Sequence, residues 1–423
     1  MRARWFSALA ALSLAALAAC DTGVREGADP SATPAPPSDT ILVGEYGSLT
    51  GSEATFGQST DNGIQLAIEE INTAGGVKDK KLVVKVYDDQ GKTQEAGNAV
   101  LRLITQDKAV AILGEVSSSL SLAGGRVAQQ NNVPMITPSS TNVTVTEIGD
   151  KVFRVCFTDD FQAYAVATFA AENLKAKKVA VLYDQGSAYS KGLKDAFGST
   201  FTAAGGAVAT EQAYKAGDAD FSAQLTAIRD AKPDAIFVPG YYTDVANIAV
   251  QVQKLGIKAP LLGGDGWDSA ELAKIAGPAI EGAYYSNHYA VQEPRPEVKA
   301  FVDAYKARFG AEPDGLAALG YDAARILADA MKRAPDLSGG ALATAIAQTK
   351  DFAGVTGRIS IDEKRNASKP AVIVQMQQGK PVFVAQVYPK GAAPADAAAP
   401  TDAAAPAAAT GTPPATGTPP AGK

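Results

Sequence analysis

An alternation of strand and helix patterns constrains the fold more than any other feature of this chain. Apolar stretches such as ILVGEYGSL, KLVVKVYDDQG, AVAILGE and VPMITPSS each end in small or polar residues, and a helical pattern separates each from the next. The first of these helices carries four apolar residues at the i, i+3, i+4, i+7 spacing of one buried face, namely Ile64, Ala67, Ile68 and Ile71. The order βαβαβαβ predicts a parallel sheet with helices on both faces.

The same order restarts at Lys178 and predicts a second unit of the same kind. KVAVLYD, DAIFVPG and APLLGGDGW are short apolar strands that end in loops, and helical segments lie between them. Towards the end, GRISIDEKRN and KPAVIVQMQQGKPVFV have strand character, the second as a hairpin with Gly379 in its turn. We therefore predict an α/β protein with two doubly wound lobes.

The first 20 residues have the pattern of an export signal. Arg2 and Arg4 precede an apolar core at residues 6–19, which is too short for a comfortable transmembrane helix. The signal closes on LAAC, which resembles a bacterial lipobox, so Cys20 is the predicted lipidation site and mature N-terminus. An uncleaved anchor, or an ordinary signal peptide with an incidental cysteine, is the alternative.

Two further segments lack the large apolar residues of a folded core. Residues 21–39 are rich in Pro, Ser, Thr and Ala and predict a flexible tether, whereas the Ala/Pro/Thr-rich residues 391–423 predict a disordered tail. The formal net charge is −6 and no basic patch stands out, which argues against a nucleic-acid partner. The remaining cysteine, Cys156 in FRVCF, is predicted to be a small buried apolar residue.

Hydroxyl side chains cluster at two predicted strand ends. Three serines at residues 117–119 follow AVAILGEV, and Ser139, Ser140 and Thr141 follow VPMITP. In open parallel sheets ligands bind outside the carboxyl ends of the strands, where helix N-termini offer unpaired N–H groups to an anion. A helix N-cap needs only one such hydroxyl. We therefore predict that the two clusters together bind a carboxylate.

Signatures of catalysis and metal binding are missing from the sequence. The chain has no GxSxG motif, and its only histidine, His288, lies far along the chain from the serine clusters. It has no His/Cys cluster with the spacing of a metal site, and neither a GxGxxG nor a GxxxxGK[ST] phosphate loop. We therefore predict a binding protein rather than an enzyme, without a metal or another cofactor.

From Ile41 to about Tyr388 the chain resembles the bacterial branched-chain amino-acid-binding proteins, the leucine/isoleucine/valine-binding receptors of ABC importers in the type I periplasmic binding protein superfamily. The segments that carry the resemblance follow the family's order and spacing: VGEYGSLTGSEATFGQSTDNGIQLAIEEINTAGGV, KVYDDQG, AILGEVSSS, VPMITPSST, FRVCFTDDFQ, VLYDQGSAYSKG, GYYTD, GGDGW and GYDAARIL. The resemblance implies two Rossmann-like lobes that close on a ligand by hinge motion. The implied boundaries are three crossings near residues 158–160, 287–291 and 357–362, a lobe 1 of residues 40–158 and 289–358, and a lobe 2 of residues 159–288 and 359–390.

The resemblance also implies roles for individual residues. The α-carboxylate of the ligand would meet Ser118, with Ser139 and Thr141 on the neighbouring loop, and its ammonium would meet Asp265, where the family frequently has glutamate. The other implied contacts are aromatic: Tyr241 near the ammonium, Tyr189 in the second lobe, Phe56 at a position often held by tyrosine, and Trp267 and Phe161 near the ligand's side chain. Trp267 is equally compatible with a place in the core.

The function that the resemblance implies is that of an exported, lipid-anchored receptor on the periplasmic side of the membrane. It would act as a monomer, bind a small amino acid that is branched-chain or similarly apolar, and deliver it to an ABC permease in the inner membrane. Two alternatives stay open at this point. One is a receptor for an aromatic acid, a short amide or urea, and the other is a ligand-sensing subunit of a regulatory system.

Overall fold

The computed structural model describes residues 39–389 of the chain. The predicted signal peptide with Cys20, the predicted tether up to residue 38 and the predicted C-terminal tail lie outside these residues. Among the described helices, none is long and apolar enough to cross a membrane.

One lobe, lobe 1, is built on a five-stranded parallel sheet. Its strands are β1 (Thr40–Gly47), β2 (Lys81–Asp88), β3 (Ala111–Leu113), β4 (Met135–Thr137) and β5 (Val152–Arg154). The helices that follow β1, β2 and β3 are α1 (Ala54–Thr73), α2 (Thr93–Thr105) and α3 (Ser118–Gln130). The strand order is β2-β1-β3-β4-β5. Strands β3, β4 and β5 are buried along their whole length, as parallel strands covered on both faces should be.

The second lobe, lobe 2, repeats this arrangement and adds a hairpin. Its helices are α4 (Asp159–Glu172), α5 (Ala188–Ala203), α6 (Ser222–Ala231), α7 (Tyr242–Lys254) and α8 (Ala270–Ala276). Its strands are β6 (Lys178–Asp184), β7 (Ala207–Tyr214), β8 (Ala235–Phe237), β9 (Leu261–Gly263), β10 (Tyr284–Asn287), β14 (Ala371–Gln377) and β15 (Lys380–Val387). In the order β15-β14-β10-β9-β8-β6-β7, the strands from β6 to β10 are parallel and β14 and β15 are antiparallel. The hairpin turns at Gln378 and Gly379, both at positive φ, as predicted for Gly379.

The segments between β10 and β14 pack on lobe 1. They are α9 (Pro296–Phe309), α10 (Gly315–Arg333), α11 (Gly339–Ala347) and a small antiparallel sheet of β11 (Phe352–Gly354), β12 (Gly357–Ile361) and β13 (Ala367–Ser368). The backbone N–H of Arg154 at the end of β5 donates to the carbonyl of Arg365, which fixes the β12–β13 connection to lobe 1.

The chain passes between the lobes three times, after β5, after β10 and after β13. The third passage corrects the sequence prediction, because the chain rejoins the lobe 2 sheet only at Ala371 and not within residues 357–362. The predicted return to lobe 2 at residue 359 is displaced for the same reason. The stretch GRISI is a strand, as predicted, but it pairs with the preceding β11 in a local hairpin of its own.

Both lobes have their topological switch point at corresponding strands. In lobe 1, β1 lies between β2 and β3, and in lobe 2, β6 lies between β7 and β8. The loops that leave the carboxyl ends of strands at such a point form the crevice in which open α/β sheets bind ligands. Helices α1 and α3 begin there in lobe 1, and α5 and α7 begin there in lobe 2.

Candidate functional site

The carboxyl ends of the strands in the two lobes face each other, and the lobes are in contact there. The hydroxyls of Thr55 in α1 and Ser269 before α8 are 3.0 Å apart. The hydroxyl of Thr243 in α7 donates to the carbonyl of Ser52 in the loop before α1 (2.7 Å). The described arrangement is therefore a closed one.

The serines at residues 117–119 use their hydroxyls on different partners, and two of these bonds cross between the lobes. Ser117 Oγ accepts a hydrogen bond from the hydroxyl of Tyr241 (3.0 Å), and Ser119 Oγ accepts one from the backbone N–H of Ala188, the first residue of α5 (3.0 Å). Although Ser117 occupies the N-cap position of α3, its side chain makes no capping bond. Helix capping therefore does not account for the cluster.

Three hydroxyls meet at what we term the carboxylate end of the site, formed by Ser118, Ser139 and Thr141. Ser118 Oγ accepts a hydrogen bond from the N–H of Asn142 on the loop after β4 (3.2 Å). The hydroxyl oxygens of Ser139 and Thr141 are buried and find no hydrogen-bond partner among the described residues. Buried polar groups are normally satisfied, so these two hydroxyls suit a ligand that brings polar atoms of its own. The direct contact with a ligand stays a prediction.

Ser140 differs from its neighbours in that its hydroxyl already has partners within lobe 1. Its hydroxyl lies within hydrogen-bond distance of the carbonyl of Val116 (2.8 Å) and of Ser121 Oγ (2.7 Å), and its N–H donates to Thr137 Oγ1 (3.0 Å). The hydroxyl and the N–H of Ser140 therefore fix the conformation of the loop after β4 within lobe 1. The sequence pattern grouped Ser140 with the ligand contacts because neighbouring hydroxyls in a loop cannot be told apart without the loop's conformation.

An arginine that the sequence analysis did not single out lies behind this loop. The parallel register of β4 and β5 pairs Thr137 with Arg154. The Arg154 guanidinium is fully buried and donates to the carbonyls of Ser140 (2.8 Å) and Asn142 (2.7 Å). Among the described residues its hydrogen bonds go only to backbone carbonyls and to the hydroxyl of Thr146. The one sequence signal for it is a charged residue inside the apolar stretch VFRVCF.

Asp265 forms the opposite end of the site together with a histidine. Its Oδ2 is 2.9 Å from His288 Nε2, and its Oδ1 is buried without a partner among the described residues. Burial lowers the pKa of His288 to about 4, against the opposing effect of the hydrogen bond to Asp265. The imidazole is therefore neutral at physiological pH and donates its Nε2–H to the carboxylate. Asp265 keeps one free oxygen for a cationic partner.

His288 entered the sequence analysis only as a possible catalytic base. Its ring stacks on Phe157, with centroids 3.8 Å apart, so its orientation is fixed from the side as well as by Asp265. His288 and Asp265 meet because His288 follows β10, Asp265 follows β9, and these two strands are neighbours in the sheet. Nothing in the local sequence YSNHYA signals that contact.

The loop that carries Asp265 is held by side chains from α4 and α5. Gln162 Oε1 accepts the N–H of Asp265 (2.7 Å), and the Tyr189 hydroxyl accepts the N–H of Gly266 (3.2 Å). A Cβ atom at Gly264 would overlap both Gln162 Oε1 and the Tyr189 hydroxyl. Gly264, the second glycine of GGDGW, is therefore required by the close approach of the two side chains that position Asp265.

A second carboxyl group, that of Asp159, lies near Asp265 and was missed. Both of its oxygens are buried and have no hydrogen-bond partner among the described residues. Burial raises the pKa of Asp159 to about 8, the neighbouring Thr141 hydroxyl opposes the increase, and the charge of Asp265 adds to it. An acidic residue in the first turn of a helix is so common that TDDF gave no signal. Among the described residues, no group of three or more His, Cys, Asp or Glu side chains has the arrangement of a metal site.

The predicted aromatic contacts separate into a wall and a core residue. The rings of Tyr189 and Tyr241 stack at 5.2 Å, and Phe56 meets Tyr241 edge-on at 5.4 Å. These three rings form what we term the aromatic wall, which joins α1 of lobe 1 to lobe 2. Phe161 is half-buried in the first turn of α4. Trp267 is fully buried in the core of lobe 2, where its indole N–H donates to a backbone carbonyl, so it supports the Asp265 loop from below.

The chain is similar in sequence to bacterial periplasmic binding proteins. The family model described as periplasmic binding protein matches residues 40–381. The Leu/Ile/Val-binding protein BraC3 of Rhizobium johnstonii is 33% identical over 326 residues, which cover 76% of this chain and 88% of that protein.

Two solved structures show the same fold. The leucine-binding protein LivK from Thermotoga maritima has 40% sequence identity and a TM-score of 0.80, over 82% of this chain and 99% of that one. The branched-chain amino acid transporter substrate-binding protein LivJ from Streptococcus pneumoniae, in complex with isoleucine, has 35% identity and a TM-score of 0.77, over 82% and 99%. The predicted α/β fold of two doubly wound lobes is confirmed by these similarities.

Proposed function

The chain belongs to the periplasmic binding protein family, and from that premise we propose that it is an extracytoplasmic receptor that binds a small amino acid between its two lobes and delivers it to an ABC permease. One arrangement carries the proposal. Among the residues that the structure describes, hydroxyls without a hydrogen-bond partner lie at one end of a closed site, and a buried carboxylate with a free oxygen lies at the other.

The two ends of the site suit the two charges of an α-amino acid. A ligand carboxylate accepts hydrogen bonds, which the hydroxyls of Ser118, Ser139 and Thr141 are able to donate. A ligand ammonium donates hydrogen bonds and is positively charged, which suits the free Oδ1 of Asp265. Because the hydroxyls belong to lobe 1 and Asp265 to lobe 2, a zwitterion would bridge the lobes and favour the closed arrangement.

The aromatic wall supports an apolar ligand side chain. Phe56, Tyr189 and Tyr241 present ring surface between the lobes, and aromatic rings gain most from contact with apolar groups. The relative from R. johnstonii is named for leucine, isoleucine and valine, and the S. pneumoniae structure holds isoleucine. We therefore assign a branched-chain or similarly apolar amino acid as the ligand.

The remaining parts of the proposal concern the location of the protein and its partners. Membership of the family implies an exported, periplasmic protein. We propose in addition that residues 1–20 are a signal peptide, that Cys20 carries the lipid anchor, and that the receptor acts as a monomer. Transport of the bound ligand by a reconstituted cognate permease would separate an import receptor from a ligand-sensing subunit.

Calorimetry with a matched ligand panel tests the proposed ligand class. The purified protein is unfolded and refolded to remove any ligand that co-purifies, and is then titrated with leucine, isoleucine, valine, leucinamide, 4-methylpentanoate and benzoate. We expect the three amino acids to bind and the ligands that lack one charge to bind at least about 100-fold more weakly, since each leaves a buried group unpaired. Binding of benzoate without binding of any amino acid would replace the proposal with the aromatic-acid alternative.

A further inference from the structure

We propose that Arg154 is a specificity-determining residue of the site. Its guanidinium, buried behind the loop after β4, supplies the positive charge that makes the carboxylate end select ligands with a free carboxylate. This inference rests on the proposed function, because it assigns a role within the same amino-acid site. Arg154 would act through the loop and through its field, without touching the ligand.

The hydrogen bonds of Arg154 orient the loop that carries the hydroxyls. The guanidinium draws the carbonyls of Ser140 and Asn142 towards itself. In a trans peptide the N–H points opposite to the carbonyl, so the N–H of Thr141 is directed away from Arg154. The loop thus turns the carbonyl oxygens of Ser140 and Asn142, which would repel a carboxylate, towards Arg154, and it directs the N–H of Thr141 to the opposite side.

Within residues 39–389, no buried partner neutralises the charge of Arg154. The ionisable groups whose charges reach it are those of Cys156, Asp159, Asp362 and Glu147. Burial raises the pKa of the Cys156 thiol to about 12 and that of Asp159 to about 8, so both are largely uncharged at physiological pH. Asp362 and Glu147 are exposed to solvent. An uncompensated buried cation is costly, and a ligand carboxylate on the far side of the loop would offset that cost.

The competing explanation is that Arg154 only holds the loop in shape. The two explanations differ in ligand discrimination, because leucine and leucinamide share the ammonium and the side chain and differ in the negative charge. A loss of loop shape would weaken both ligands, whereas a loss of the positive charge would weaken leucine alone. The decisive quantity is therefore the ratio of the Kd for leucinamide to the Kd for leucine.

The test compares the protein with its R154Q and R295Q variants. Arg295 is the matched control, since its guanidinium also donates to two backbone carbonyls, of Gly354 and Val355, but its charge is paired with Glu293. We expect R154Q to lower the leucinamide-to-leucine ratio by about tenfold or more, mainly through weaker leucine binding, and R295Q to leave it unchanged. A R154Q protein that weakens both ligands equally would overturn the inference.

A second variant keeps the inference testable if R154Q does not fold. R154K retains a positive charge, but a buried ammonium has a lowered pKa, whereas a guanidinium stays protonated. The leucine affinity of R154K, divided by that of the unsubstituted protein at the same pH, should therefore fall as the pH rises between about 6 and 8.5. The same ratio for leucinamide should show no matching fall. A R154K pH profile that parallels that of the unsubstituted protein would contradict the charge role.

The controls also separate this inference from the proposed function. If the unsubstituted protein binds no amino acid, the proposed function fails before Arg154 is tested. A different outcome is that the unsubstituted protein binds leucine and rejects leucinamide while R154Q discriminates against leucinamide equally well. In that case the proposed function stands and the proposed role of Arg154 is wrong.

Discussion

The two carboxylate oxygens of Asp265 have different surroundings: one contacts His288 and the other is free to contact a ligand. Oδ2 is fixed by His288, and Oδ1 is the free acceptor on which the proposed ammonium contact depends. Asp265→Ala should therefore nearly abolish amino-acid binding, because removing one partner of a buried ion pair costs about 3–5 kcal/mol. That cost corresponds to a Kd raised by roughly a hundred-fold to several thousand-fold, which calorimetry with leucine measures.

Two further variants calibrate this prediction. Asp265→Glu should be milder, since the charge remains and only space is lost. Ser118→Ala should cost about 1–3 kcal/mol, because the other hydroxyls and backbone N–H groups still hold the carboxylate. If Asp265→Ala binds the identified ligand as tightly as the unsubstituted protein, the ligand has no ammonium at this position. The aromatic-acid or amide alternative would then replace the amino-acid proposal.

Asp159 predicts a specific dependence of stability on pH in the unliganded protein. Its folded-state pKa of about 8 lies above the ordinary value of 3.8, so between these values the folded protein binds more protons than the unfolded chain. The free energy of unfolding therefore loses up to about 1.4 kcal/mol per pH unit from this residue as the pH rises through the window. Asp159→Asn removes that loss, so the variant should gain stability relative to the unsubstituted protein between pH 5 and pH 9, as urea unfolding at the two pH values would show.

The comparison of the two proteins cancels the other titrating groups. His288 works in the opposite direction, because its folded-state pKa of about 4 lies below its ordinary value of 6.5 and the stability it contributes is lost as the pH falls through this window. It is present in both proteins and drops out of the difference. A stability difference that stays constant from pH 5 to pH 9 would show that Asp159 is ionised throughout and not held protonated by burial.

Helices α3 and α5 begin on opposite sides of the site, and a hydrogen bond between their first turns stabilises the closed arrangement. Ser119 of α3 accepts the N–H of Ala188, a group that α5 itself leaves unpaired. Such a bond contributes about 1 kcal/mol, and a ligand that prefers the closed form loses that contribution when the bond is removed. Ser119→Ala should therefore raise the Kd for leucine by about fivefold, mainly through faster dissociation in stopped-flow measurements.

The matched control for this prediction is a serine on the surface of the same pair of helices. Ser199 in α5 is exposed, and its hydroxyl donates to the carbonyl of Asp195 in its own helix. Ser199→Ala should leave both the Kd and the dissociation rate unchanged. Equal effects of the two substitutions, or none from Ser119→Ala, would mean that the contact between α3 and α5 does not contribute to closure.

The sequence predicts the regular elements where their own residues decide the structure. Strands β1 to β4 and helices α1 to α3 follow from apolar periodicity and from the small residues at strand ends, and the β14–β15 hairpin follows from Gly379. Strand β5 is not part of the predicted order, because its three residues include a charged one, Arg154, and no run of small residues marks its end. The third passage between the lobes was misplaced because strand character in GRISI does not reveal the partner strand.

The site could be predicted only in part, for a related reason. Ser118 and Asp265 lie in the segments that follow the carboxyl ends of β3 and β9, so the topology rule that places ligands there identifies them. Arg154 reaches the site because β5 pairs in register with β4, and His288 because β10 pairs with β9. These pairings are tertiary, and a lone arginine or histidine in the sequence is more often a satisfied structural residue. Ser140 shows the reverse case, since its sequence position predicts a ligand contact but its hydroxyl already bonds within lobe 1.

The proposed lipid anchoring of the whole molecule depends on Cys20, which lies outside the described residues. A lipid-modified cysteine in a bacterial lipoprotein carries several acyl chains, and two or more chains give stable membrane attachment. Cys20→Ser should therefore abolish labelling with a fatty-acid analogue and move the protein from the membrane fraction to the soluble fraction. Unchanged fractionation of Cys20→Ser would show that the lipobox prediction is wrong.

Closure of the two lobes sets the last prediction, because the contacts that hold them together lie on both sides of the site. The bonds from Thr55 to Ser269 and from Thr243 to Ser52 must break if the lobes separate, and we expect an open form in which a ligand enters. The proposed zwitterion interacts with both lobes only in the closed form and should shift the population towards it. Small-angle scattering should show a smaller radius of gyration at saturating leucine, and Asp265→Ala at the same leucine concentration should show no change. If the radius of the unsubstituted protein stays constant although calorimetry shows binding, ligand entry does not proceed by separation of the lobes.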